Sequence, residues 1–126
     1  MRAIAAPGSL KGVLSAVAAA DALAAGLRAG GAEAEAVPVA DGGDGTLDVL
    51  GGSPRVAEVT APLGGRVSAR WALREDGTAI VESAQALGFQ TVSELDPLRA
   101  SSRGLGELIL EAAREAESML VGLGGT

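Results

Sequence analysis

Two short apolar runs with one helical stretch between them open the chain, and each run ends in a glycine-bearing loop. That order leaves few folds open. Arg2–Ala6 is apolar and stops at Pro7-Gly8. Ser15 can cap a helix running to about Arg28, with Val17, Ala20, Ala24 and Leu27 on one face at helical spacing. Gly30-Gly31 ends it. Ala34–Val39 then reads as a second buried strand. A strand, a helix and a strand in this order pair in parallel through a right-handed crossover. Both loops, Pro7–Gly12 and Ala40–Thr46, then fall at carboxyl ends of strands, the edge where open α/β sheets bind ligands.

The second of these loops carries the chemistry. Asp41 and Asp44 sit among Gly42, Gly43 and Gly45. Glycines let the backbone take positive φ and approach a ligand closely. Two carboxylates in one turn can hold Mg²⁺, accept a proton or bind hydroxyls; an Asp/Gly turn without chemistry has the same composition. In the first loop, Lys11 is the chain's single lysine, every other basic residue being arginine. A compact ammonium at that one place suits a charge contact that arginine does not make as well. The chain has no Cys and no His, which excludes disulfides, zinc held by those residues, cysteine nucleophiles and histidine bases. Asp, Glu and Lys remain as acid and base. The net charge of −6 argues against nucleic acid and acidic membrane surfaces as partners. No apolar run reaches the roughly 20 residues of a membrane span, so the expected location is cytoplasmic.

Further along, the texture changes. Arg55–Ala61 and Arg66–Arg74 alternate in polarity, Thr78–Glu82 makes a third run, and Pro62–Gly65 and Glu75–Gly77 read as turns. This predicts an antiparallel meander with Val67, Ala69, Trp71 and Leu73 on its inner face. With aromatic residues only 2% of the chain and apolar residues 48%, Trp71 belongs to a core built otherwise of Ala, Val and Leu. Glu82 closes its strand and reads as an exposed edge carboxylate. Ser101 or Ser102 can cap a helix with Leu105, Leu108, Ile109, Ala112 and Ala116 along one stripe. Those hydroxyls and the free amides of the helix start can also receive an anion. Met119–Val121 is a last short strand, entering Gly122-Leu123-Gly124-Gly125-Thr126. The expected organisation is a Rossmann-like α/β domain made of 1–50 and 96–126, with 51–95 as part of a second, β-rich domain. A strand entering a glycine-rich turn ordinarily continues into a helix, so the chain is expected to be the front part of a longer α/β protein. An apolar face of 51–95 that packs on the missing half is then expected to be exposed.

Six stretches in order resemble the bacterial glycerate kinases that phosphorylate glycerate with ATP. The family opening A-P-D-S-F-K-G-S-L-S-A corresponds to Ala6–Ala16, and V-A-D-G-G-E-G-T to Val39–Thr46. The P-L-G turn matches Pro62-Leu63-Gly64, I-E-M-A-x-A-S-G-L is similar to Val81–Phe89, T-x-G-T-G-E-L-I to Ser102–Ile109, and G-I-G-G-S to Gly122–Thr126. Gly8 stands where the family has an acid, Asp44 where it has Glu, and Leu105 where it has Thr. No G-x-x-x-x-G-K-[ST] loop is present.

The resemblance implies an incomplete two-domain fold with the active site between the domains, and the absent C-terminal half of the same protein as partner. It implies ATP and Mg²⁺ as cofactors, D-glycerate as substrate and 2-phosphoglycerate, or else 3-phosphoglycerate, as product. Lys11 would contact a phosphate or the glycerate carboxylate. Asp41 would bind a glycerate hydroxyl or act as its base, with Asp44 second in that role and a candidate Mg²⁺ ligand. Ser9, Gly42 and Gly43 would help hold the substrate. Ser101, Ser102, Gly104, Gly122, Gly124, Gly125 and Thr126 would face phosphate oxygens. A non-catalytic binding module derived from this fold, and an unrelated flavodoxin-like nucleotide-binding domain, are the alternatives.

Overall fold

In the computed structural model, which describes residues 1–126, β1 (Arg2–Ala5) and β2 (Glu33–Ala36) lie side by side and parallel. Their register runs from Arg2 opposite Glu33 to Ala5 opposite Ala36. Two more bonds, Val37 N–H to the Ala5 carbonyl at 2.8 Å and Val39 N–H to the Pro7 carbonyl at 3.0 Å, carry the pairing up to the two loops. Between the strands runs α1 (Ala16–Ala29), capped by Ser15, whose hydroxyl accepts the Ala18 N–H at 3.1 Å. Its buried face is Ala16, Ala19, Ala20 and Ala24. Val17, expected on that face, is exposed: the helix turns its smallest side chains inward, so that it can lie close against the short strands. This first unit comprises Met1–Asp41.

The second unit, Gly42–Thr126, begins with the short α2 (Thr46–Leu50). Then β3 (Ser53–Thr60), β4 (Arg66–Leu73) and β5 (Thr78–Glu82) form the expected meander, with Ser53 opposite Leu73, Thr60 opposite Arg66, and Trp71 opposite Val81. Glycines at positive φ make both turns: Gly64 and Gly65 in the first, Gly77 in the second. After α3 (Ser83–Leu87) and a 3₁₀ turn at Phe89–Thr91, α4 (Arg103–Ala112) leads to β6 (Ser118–Gly122). The sheet order is β3-β4-β5-β6, with β6 parallel to β5.

Val59, Ala69, Trp71, Ala79 and Val81 form one core with Ala86 of α3 and Leu108 and Ala112 of α4. The inner face of the meander, expected to form a core, is covered by helices of its own chain. Leu47 of α2 packs with Ala72 and Ile80 on the other face. With both faces covered, β5 is buried along Ala79, Ile80, Val81 and Glu82.

The architecture is α/β, with a parallel pair and a mixed sheet. The expected grouping of 96–126 with 1–50 differs from the pairing found. β6 hydrogen-bonds to β5 inside the meander's own sheet, and the units divide after Asp41. A five-residue apolar strand carries no local mark of the edge it will join; the register of Thr78 with Ser118 through Glu82 with Gly122 decides it. No helix is long and apolar enough to cross a membrane.

Candidate active-site loops

In the first unit, Pro7–Gly12 is a strand-to-helix connection closed by a tight turn. Leu10 N–H donates to the Leu14 carbonyl at 2.9 Å, and Leu14 N–H to the Leu10 carbonyl at 3.0 Å. Gly12 takes φ +75° inside it. Ser9 and Lys11 are exposed on this turn, and Asp41, exposed, ends the unit. A Cβ on Gly8 would meet only the Val39 carbonyl oxygen, at 3.9 Å, so the position has room for the side chain that this sequence lacks.

In the second unit, two glycine loops touch. Gly42–Thr46 leads into α2, and Gly122–Thr126 leaves the carboxyl end of β6 beside the carboxyl end of β5. Gly42 and Gly45 lie at φ +91° and +92°, the left-handed region that favours glycine. The approach is too close for side chains: a Cβ on Gly122 would lie 2.7 Å from the Gly42 carbonyl oxygen, and one on Gly124 would lie 2.8 Å from the Gly43 Cα. A Cβ on Gly125 would come within 3.4 Å of the Asp44 amide nitrogen. Asp44 itself is exposed. The structure thus brings Gly42, Gly43 and Asp44 together with Gly122, Gly124 and Gly125, at the sheet edge where such folds bind ligands.

Glu82, the last residue of β5, and Ser83, the first of α3, fasten the start of α2 and the loop Gly122–Thr126. Glu82 is fully buried, and its Oε2 accepts the Leu47 N–H at 2.8 Å. The expectation of an exposed edge carboxylate is corrected here, because α2 covers the strand end. Ser83 Oγ donates to the Gly124 carbonyl at 3.1 Å and accepts the Gly124 N–H at 3.0 Å. Glu82 was a weak functional candidate in the sequence, and Ser83 did not stand out as a site residue. The signal was a polar pair, Glu82-Ser83, directly after the apolar run Ala79-Ile80-Val81. Beside them, Thr46 is 3% exposed and its Oγ1 has no hydrogen-bond partner.

The helix-start candidates lie elsewhere in this unit. Ser101 and Ser102 are exposed. Ser101 accepts the Arg103 N–H at 3.2 Å, while the Ser102 side chain makes no cap bond. Gly104 is buried against the Thr60 carbonyl, so it serves the packing of α4 on β3. Glu107 reinforces that contact by accepting the Thr60 N–H at 2.8 Å, the Thr60 hydroxyl at 2.9 Å and Arg103 Nε at 2.8 Å. The Thr60 amide, then Arg103, then the Thr60 hydroxyl hold the Glu107 carboxyl below its ordinary pKa. Thr126 lines a cavity of about 250 Å³ with Pro62, Leu63, Leu87, Phe89 and Leu95. No group of three or more acidic residues gathers to form a metal cage. Mg²⁺ is commonly held by one or two carboxylates together with phosphate oxygens, and the exposed Asp44 fits a single ligand of that kind.

The sequence model of the glycerate kinase family matches residues 3–126. Over its whole length the chain is 43% identical to the glycerate 2-kinase of Escherichia coli K12 and 41% identical to the glycerate kinase of Bacillus subtilis 168, in each case spanning 36% of the relative's own length. A crystal structure from Salmonella typhimurium LT2, described as a candidate glycerate kinase 2, superposes on the entire chain with a TM-score of 0.76 at 38% identity, and the chain covers 37% of it. The chain therefore spans about a third of the length of these relatives, and it belongs to the glycerate kinase family.

Proposed function

We propose that this chain supplies part of the active site of a kinase that transfers the γ-phosphoryl group of ATP to D-glycerate, with 2-phosphoglycerate as product. The supporting observation is the pair of touching glycine loops at the carboxyl ends of β5 and β6, in a chain 43% identical to a glycerate 2-kinase. Phosphoryl transfer asks the protein mainly for positioning and for neutralisation of phosphate charge. The glycine loops offer backbone amides at close range for phosphate oxygens. In this reading Lys11 meets a phosphate or the glycerate carboxylate. Asp41 accepts the proton of the attacking hydroxyl as its oxygen bonds to phosphorus and the bond to ADP breaks. Asp44 is the residue to hold Mg²⁺, which when bound offsets the charge of the phosphates.

The test is ADP release with ATP, Mg²⁺ and D-glycerate, for the 126-residue chain and for the full-length gene product. Glycerate-dependent turnover that falls at least about a hundredfold in Lys11→Ala and in Asp41→Asn is expected, the size of a lost charge contact or base. Turnover unchanged in both variants would remove these residues from the mechanism. No glycerate-dependent turnover in the gene product would overturn the function. Phosphorus NMR of the product distinguishes transfer to the 2-hydroxyl from transfer to the 3-hydroxyl.

A further inference from the structure

The proposed transfer assigns no task to Glu82, a fully buried carboxylate at the end of β5. Both of its oxygens are acceptors: Oε2 takes the Leu47 N–H at 2.8 Å, and Oε1 takes Gln85 Nε2 at 3.3 Å. Gln85 Oε1 in turn accepts Arg70 Nε at 3.4 Å, and Arg70 Nη2 pairs with Asp48 Oδ1 at 3.6 Å. Asp48 follows Leu47 on α2, so the bonds close a ring through α2, β4, α3 and the end of β5. The Arg70–Asp48 arm is half exposed and contributes little. The Glu82–Leu47 arm is buried, where an unmet donor is costly. The next residue, Ser83, is bonded both ways to Gly124. Two consecutive side chains thus grip the first turn of α2 and the loop Gly122–Thr126, one each.

We propose that Glu82 is a positioning residue. It fixes the first turn of α2, and through it the loop Gly42–Thr46, against Gly122–Thr126, and so sets where Asp44 stands. The direction of the bonds makes the residue type specific. Leu47 N–H and the Gln85 amide group both donate toward position 82, so a side chain with two acceptor oxygens is required. Glutamine offers one and alanine none.

The test is amide hydrogen exchange by NMR on the 126-residue chain. In Glu82→Ala, Leu47 exchange is expected to rise at least about tenfold, with resonance shifts at 43–46 and 124–125, while amides of β3 and β4 keep their protection. Glu82→Gln is expected to restore most of the Leu47 protection, because one acceptor remains. Where the alanine variant does not fold, the glutamine variant carries the comparison, with shifts expected at Gln85 and Leu47 and not in β3. Unchanged Leu47 exchange, or a rise shared by every strand, overturns the inference.

The link to Asp44 rests on the kinase reading and is tested separately in the full-length gene product. Glu82→Ala is expected to lower kcat more than it raises KM, and to add little further loss in an Asp44→Asn background. If the wild-type protein does not phosphorylate glycerate but the exchange result holds, the kinase reading fails and the clamp stands. If it does phosphorylate glycerate and Glu82→Ala keeps full kcat, or its loss adds in full to that of Asp44→Asn, the positioning role fails.

Discussion

Glu82 and Glu107 show how surroundings decide what a carboxylate does. Glu82 is enclosed by α2 and α3 and takes two neutral donors. Glu107 sits at the rim with Arg103 and Arg66 beside it and the Thr60 amide donating to it. The Thr60 amide is the leading cause that holds the Glu107 carboxyl below the ordinary glutamate value of 4.5. In the unfolded chain that pKa returns to its ordinary value, so around it the unfolded state binds more protons, and stability rises with pH. The increment is complete above 4.5 and is lost as the pH falls through the lower, folded value. Asp76, held low first by the Thr78 amide, acts in the same direction. Melting temperatures of the wild type and of Glu107→Gln are therefore expected to differ most above about pH 5 and to converge as the pH is lowered toward 3. A gap that stays constant from pH 7 to pH 3 would show that Glu107 acts through shape alone.

At the scale of elements, two glycines in the same helix make opposite demands. Gly104 faces the Thr60 carbonyl with no room for a Cβ, whereas nothing lies within 4 Å of a Cβ on Gly106. Alanine gains about 1 kcal/mol over glycine in a helix interior. At Gly106 that gain is expected to appear as about 0.5–1 kcal/mol of added stability in urea unfolding. At Gly104 the forced shift of α4 from β3 is expected to cost about 1–3 kcal/mol before the same gain is subtracted, leaving the variant less stable than the wild type. Equal effects at the two positions would dismiss Gly104 as the contact that seats α4.

Local patterns showed which elements would form. Ser15 as cap, the alternation of Val67, Ala69, Trp71 and Leu73, and the turns at Gly64-Gly65 and Gly77 depend on near neighbours, and all took the expected form. What lies across an element was not legible. Glu82 read as exposed because a strand end shows nothing of the helix that will cover it. Gly104 read as a phosphate contact because a glycine at a helix start looks the same whether it faces an anion or a carbonyl. β6 read as part of the same domain as 1–50 because its edge is chosen by distant register. The touching loops were legible only as two separate glycine stretches; that Gly42 meets Gly122 follows from the pairing of β5 with β6.

Taken as a whole molecule, the chain divides its core unequally. The second unit buries Trp71, Ile80, Leu108, Val59 and Val81, with the sheet covered on both faces. The first unit buries Ala5, Ala16, Ala19, Ala20 and Ala24, and no larger apolar side chain. Each alanine removes little apolar surface from water, and burial scales with that surface. The first unit's sheet has only two strands, which are marginal by themselves. Its Ile4 is 69% exposed, although parallel strands ordinarily have both faces covered. A chain of about 40 residues without disulfides or metal seldom holds its fold alone. Opening of Met1–Asp41 is therefore expected to need far less free energy than opening of Gly42–Thr126. Hydrogen exchange followed by mass spectrometry should show peptides of β1 and β2 exchanging at least about a hundredfold faster than peptides of β4 and β5. Limited proteolysis should cut first within Met1–Asp41 and leave a product that keeps the emission of buried Trp71. Matched protection of the two sheets, or first cuts within β3–β5, would show that the alanine core is held by more than its own burial.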